Sequence, residues 1–82
     1  MRVYKMYNEQ LKKIFIDIFG LDTDINQENI NINAINEWDS LNHLNLIISI
    51  ESEFDINIPP EDIPHLYSDF NMIVKYLINK IS

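Results

Sequence analysis

Apolar residues recur at helical spacing in three stretches of the chain. Leu11, Ile14, Phe15, Ile18 and Phe19 fall three and four residues apart and mark one face of a helix predicted over about Tyr4 to Phe19. Gly20, the single glycine, comes next and is expected to cap that helix with a positive φ. A second helix is predicted from Asp39 or Ser40 to near Phe54. Its Leu41, Leu44, Leu46, Ile47, Ile48, Ile50 and Phe54 cover more than half the circumference at about 100° per residue. Such breadth predicts a central helix, either packed on two sides or keeping one side for a partner. Phe70, Ile73, Val74, Leu77, Ile78 and Ile81 give the buried face of a last helix. Ser68 is its expected cap, with Asp69 in the first turn and Lys75 and Lys80 toward the end, the order the helix dipole favours.

The segments between these helices are also informative. Leu21 to Glu37 is a long connection rich in Asn and Asp, which compete with helix by bonding local backbone. Ile25, Ile30, Ile32 and Ile35 within it predict a loop pinned onto the core, and loops this long in a compact domain are often functional. Asp55 to Pro59 reads as an extended turn, because the residue before a proline is pushed out of α space. Pro60 can then open a short helix that continues through Glu61, Asp62 and Ile63, and Pro64 limits its extension.

Eighty-two residues sustain one core, so a single domain over 1–82 is expected. A hydrophobic content of 46% places the chain among globular rather than disordered sequences. There is no cysteine, which excludes disulfides, thiolate metal sites and a cysteine nucleophile; any thiol chemistry must use a borrowed thiol. Neither a signal-peptide apolar region nor a membrane span is visible, and a cytoplasmic address is expected. The net charge of −7 is unevenly distributed. Arg2, Lys5, Lys12 and Lys13 sit at one end and Lys75 and Lys80 at the other, while every acidic residue except Glu9 lies between Ile14 and Val74. Such a field repels nucleic-acid phosphates and anionic lipid, and it steers basic protein surfaces toward the chain.

Candidate chemistry is sparse. Asp22, Asp24 and Asn26 occupy the first, third and fifth positions of a calcium-loop pattern, but Gln27 replaces the required glycine and Asn33 the bidentate glutamate. A solvated loop is the better reading. His43 and His65 are the only histidines, and neither has a second histidine at metal-ligand spacing, so no metal is expected. Ser40 and His43 lie one turn apart, both expected to point outward. With no glycine elbow and no oxyanion hole evident, hydrolase chemistry is not supported and the chain is not expected to be an enzyme. Trp38-Asp39-Ser40-Leu41 remains. A serine in the first turn of a helix presents its hydroxyl to solvent, and a phosphate ester formed there sits beside unpaired N–H groups and the positive dipole end.

The chain resembles the acyl carrier proteins, which carry 4′-phosphopantetheine on the serine of an Asp-Ser-Leu motif. The resemblance extends over nearly the whole chain: Asp39-Ser40-Leu41, the apolar series Leu44, Leu46, Ile47 and Ile50, then Glu51-Ser52-Glu53-Phe54, and Ile56-Asn57-Ile58-Pro59 with Glu61-Asp62 after it. It implies an all-α, four-helix bundle of up-down topology with a long first loop and a short third helix. It further implies that a phosphopantetheinyl transferase attaches 4′-phosphopantetheine from coenzyme A to Ser40, beside Asp39. Leu41, Glu51, Glu53, Ile58, Glu61 and Asp62 would form the docking surface for acyl-transferring or synthase enzymes with basic surfaces. Leu46, Ile47, Ile50, Ile63 and Leu66 would line space for an acyl chain, and the carrier is expected to be a monomer. On the outer face of the second helix, positions often acidic in fatty-acid carriers are Asn42, His43 and Asn45, which points to a specialised pathway rather than bulk fatty acid synthesis. Peptidyl carriers usually have glycines ahead of the serine, unlike Glu37-Trp38, so an aminoacyl cargo is less favoured. The competing expectation is a helical interaction module whose serine stays unmodified.

Overall fold

The computed structural model describes the backbone over residues 2–81 and side chains over 6–81. Three α-helices account for most of the chain: α1 (Arg2–Phe19), α2 (Ser40–Phe54) and α3 (Phe70–Ile81). Three single 3-10 turns, Gln27–Asn29, Pro60–Asp62 and Pro64–Leu66, complete the helical content. The fold is all-α; among the described residues the only extended pairing is one isolated bridge between Asn31 and Asp69.

Each helix ends for a local reason. Gly20 takes φ 65°, and its amide and that of Leu21 both return to the Ile16 carbonyl, at 2.8 and 3.3 Å, closing α1. At the end of α2 the left-handed position is filled by Asp55 (φ 55°), a residue type that tolerates it better than most. Its amide returns to the Glu51 carbonyl, as does that of Ile56 at 3.2 Å. The α3 cap lies one residue later than expected. Asp69 Oδ1 accepts from Met72 N at 2.8 Å, while the Ser68 carbonyl is engaged by Ile32 N at 3.0 Å.

The core centres on Phe15, whose ring lies 5.1 Å from Trp38, 5.7 Å from Phe19 and 5.7 Å from Phe70. Thus α1 is the helix whose backbone comes close to both of the others. The inward side of α2 is narrower than its composition suggests: Leu46, Ile47 and Ile50 are buried, whereas Leu41, Leu44 and Ile48 are 70%, 49% and 62% exposed. Of the two expectations for α2, one side is open. Phe70, Ile73 and Leu77 form the buried side of α3, and Ile81 is exposed.

The long loop is pinned as its isoleucines predict. Ile30 and Ile35 are buried, and Phe70 N donates to the Ile30 carbonyl at 2.9 Å, tying the loop to the start of α3. The radius of gyration, 11.7 Å, matches the value of about 12 Å for a compact chain of this length, so the loop adds no bulge. The expected short third helix is instead two successive 3-10 turns. Pro60 and Pro64 each start one, and the ring and missing N–H of Pro64 prevent continuation of the first into α-helix.

A β-carbon added at Gly20 meets no atom within 4 Å, so its replacement is penalised through backbone alone. Gly20→Ala is expected to lower stability by about 1–2 kcal/mol, and Asp55→Gly to leave it unchanged or raised, in urea unfolding monitored by circular dichroism. An unaltered midpoint for Gly20→Ala would show that α1 can end in another way.

Candidate functional site

Asp39 fixes where α2 begins. Its backbone is extended (φ −107°, ψ −174°), and Oδ1 accepts from Asn42 N at 3.0 Å. The Asp39 carbonyl accepts the first helical bond, from His43 N at 2.8 Å. The amides of Ser40 and Leu41 therefore lie ahead of the helical ladder, at the positive end of the dipole. Asn42 adds a clamp, its Nδ2 donating to the Glu37 carbonyl at 2.8 Å. Ser40 itself is exposed, and so is Asp39.

Directly behind Ser40, three polar aromatic groups are locked together. Trp38, 2% exposed, donates its indole N–H to His43 Nδ1 at 3.0 Å. An indole can only donate, so Nδ1 carries no proton and the neutral ring must hold its hydrogen on Nε2. That N–H donates to the Ile63 carbonyl at 2.8 Å. Tyr67 completes the group, donating its hydroxyl to the Trp38 carbonyl at 2.8 Å with its ring 5.0 Å from that of His43. The indole thus bonds the imidazole, and the imidazole and phenol each bond a backbone carbonyl, joining the end of the long loop, α2 and the 3-10 segment.

This corrects the expectation for His43. It is 4% exposed, on the inner side of α2, and both ring nitrogens are committed to partners other than Ser40. It cannot take a proton from the serine while that arrangement holds. Burial lowers its pKa below 6.5, outweighing the Ile63 hydrogen bond, which acts in the opposite direction.

Ser40, His43, Leu44, Ile63, Pro64 and Tyr67 border a mainly apolar cleft of about 280 Å³. Of the residues expected to line acyl space, Ile63 alone borders it; Leu46, Ile47, Ile50 and Leu66 are packed in the core. The expected docking residues also divide. Leu41, Glu53 and Glu61 are exposed. Ile58 is buried and offers no docking surface, and Glu51 Oε2 accepts from Ile58 N at 2.8 Å, holding the turn after α2. Asp62 Oδ2 accepts from the Tyr76 hydroxyl at 2.8 Å; burial first, then this carboxylate, push the phenol up to about 12. Sequence reasoning passes over Trp38 and Tyr67 as framework residues. The lone tryptophan next to Asp-Ser is the available signal, whereas nothing in the pattern marks Tyr67.

In the long loop, Asn26 Oδ1 accepts from Glu28 N at 3.0 Å and so caps the 3-10 turn. Among the described residues no group of three or more His, Cys, Asp or Glu could hold a metal, and no helix is long and apolar enough to cross a membrane. No protein-family model matches the chain, and no curated protein is significantly similar to it.

His43 resists protonation in the native state more than in the unfolded chain, so its contribution to stability is complete above pH 6.5 and is lost as pH falls below that value. The urea midpoint should drop between about pH 7.5 and about pH 5.5, and His43→Phe should flatten that slope. His65→Gln, at an exposed site, should leave it intact. A slope unaffected by His43→Phe would assign the pH dependence to other groups.

Proposed function

We propose that the chain is a carrier protein of the acyl-carrier type, modified at Ser40 with 4′-phosphopantetheine by a phosphopantetheinyl transferase that uses coenzyme A and Mg²⁺. The arm supplies a terminal thiol on which an acyl group travels as a thioester between partner enzymes, in keeping with a chain that has no cysteine of its own. One observation carries this reading: the Asp-Ser-Leu serine stands exposed at the first position of α2, with the cap made by Asp39 rather than by Ser40 itself. Its hydroxyl is therefore free of structural duty.

The surroundings fit a phosphate-linked arm. The amides of Ser40 and Leu41 precede the first helical bond and favour an anion. The apolar cleft next to Ser40 can receive the adjoining part of the arm. Three α-helices, with the two 3-10 turns in the place of a short third helix, suit the four-helix carrier arrangement. Partner enzymes would meet Leu41 with Leu44 and Ile48 behind it, an exposed stripe on one side of α2, with Glu53 and Glu61 supplying negative charge nearby. The same stripe would serve a non-carrying interaction module, which is the second reading.

Intact-mass measurement after incubation with a promiscuous transferase and coenzyme A separates the two. A gain of one phosphopantetheine unit, abolished in Ser40→Ala, is the expected result; no gain would favour the interaction module. Acyl turnover by the unmodified chain would instead indicate an enzyme. Leu41→Ala should lower transferase kcat/KM by about tenfold, the effect of losing roughly 1.4 kcal/mol of apolar contact. Charge reversal is better placed at Glu53 than at Glu51, because Glu51 also holds the Ile58 amide.

A further inference from the structure

The cleft at Ser40 is shallow because of the groups that fill the space behind it. His43 lines it, and Trp38 backs His43 with ring centroids 6.0 Å apart. Tyr67 lies 6.0 Å from Trp38 on another side, and Phe15 closes the stack from α1 at 5.1 Å. The polar heads that could have welcomed a ligand are already paired: the indole N–H with His43, the imidazole N–H with the Ile63 carbonyl, the Tyr67 hydroxyl with the Trp38 carbonyl. The wall between cleft and core is thus held by hydrogen bonds and not by apolar contact alone. An alkyl chain on the arm's thiol that entered through this cleft and ran toward Leu46, Ile47 or Ile50 would have to part α2 from the 3-10 segment. The His43–Ile63 bond would break, and two polar groups would be left facing hydrocarbon with no replacement partner. A methyl or a short acyl group requires none of this. The cleft volume, 280 Å³, is below the lower end of the usual range for small-molecule sites, roughly 300 Å³, and part of it adjoins the arm itself.

We propose that the cargo of this carrier is a short or hydrophilic acyl group that remains outside the fold, and that the His43–Ile63 hydrogen bond is the closure that keeps long alkyl chains from the core. The proposal rests on the carrier reading given above and names its substrate class. His43 acts here as a positioning residue, setting the depth of the cleft without touching the thioester.

The experiment loads Ser40 directly from acetyl-, butyryl-, octanoyl- and dodecanoyl-coenzyme A with a promiscuous transferase, checks each product by intact mass, and records three properties. These are the thermal midpoint, the emission maximum of Trp38, which is the only tryptophan, and the nitrogen and proton shifts of the His43 ring. All three should coincide from acetyl to dodecanoyl. A dodecanoyl form whose midpoint rises by about 5 °C, with shifted Trp38 emission and a displaced His43 resonance, would overturn the proposal while leaving the carrier reading standing. Failure to load any member of the series would overturn both. His43→Ala should acquire the chain-length dependence that the wild type lacks; a folded variant that stays indifferent would remove His43 from the role of closure. Should that variant not fold, the wild-type series decides alone.

Discussion

The donation of the Trp38 indole N–H to His43 is the constraint on which the arrangement of this small protein turns. It fixes the imidazole in one tautomer, and that tautomer must find an acceptor for its other nitrogen, which the Ile63 carbonyl provides at 2.8 Å. The end of the loop and the start of α2 are thereby registered against the 3-10 segment, His43 and Ile63 being 20 residues apart in sequence. The 3-10 segment has particular need of it. Two isolated turns initiated by prolines have few bonds of their own, and such turns are weaker than α-helix. A net gain of about 1 kcal/mol per hydrogen bond understates the effect, since breaking the chain of bonds leaves buried groups unpaired at about 1–3 kcal/mol each.

The exposure of Ser40 results from the same constraint. Trp38 is drawn into the core against Phe15, so the chain must reverse immediately after it. Asp39 makes that reversal as an extended residue whose carboxylate caps the new helix, and Asn42 secures the turn through the Glu37 carbonyl. With residue 38 inside and residue 39 occupied as the cap, the next hydroxyl begins the helix facing water. Exposure of the serine is therefore a result of burying the tryptophan, and the long loop is what allows the tryptophan to reach the core. Ile30 and Ile35 bring that loop to the correct depth.

Much of this is legible in the sequence. Helix faces on α1 and α3 come from three- and four-residue spacing, Gly20 from its isolation, and the extent of α2 from Asp39 and the turn at Asp55. The features that sequence misplaces have separate causes. Periodicity assigns a face by hydropathy, and it puts His43 outward because histidine is polar. Burial is tolerable only because Trp38 and Ile63 satisfy both nitrogens, and neither pairing is a local property of sequence. Glu51 and Ile58 are placed on the docking surface by the resemblance alone; here Ile58 is buried and Glu51 holds its amide beneath the turn. The third helix differs for another reason. Pro60 is a start in both sequence and structure, but Pro64 four residues later opens a second 3-10 turn where a single short helix is expected. The central place expected for α2 reflects its apolar richness, part of which faces solvent at Leu41, Leu44 and Ile48.

That exposed stripe alters how the acidic charge acts. From Ser40 to Ile50 the chain has no Asp, Glu, Lys or Arg, and its one histidine, His43, is buried, although the protein carries a net charge of −7. Acidic groups flank the run, with Glu37 and Asp39 before it and Glu51 and Glu53 after. Exposed charges act over about a Debye length, roughly 8 Å at physiological salt, so in the carrier reading these flanks would draw in a basic partner at close approach. In that reading, desolvation of Leu41, Leu44 and Ile48 would set the residence time, because apolar burial depends far less on ionic strength than charge pairing does. The acidic flanks would then set the rate of encounter, and α2 itself the lasting contact. A carboxylate on the helix face beyond the serine would oppose the phosphate of the proposed arm, whereas an uncharged face leaves the helix dipole unopposed.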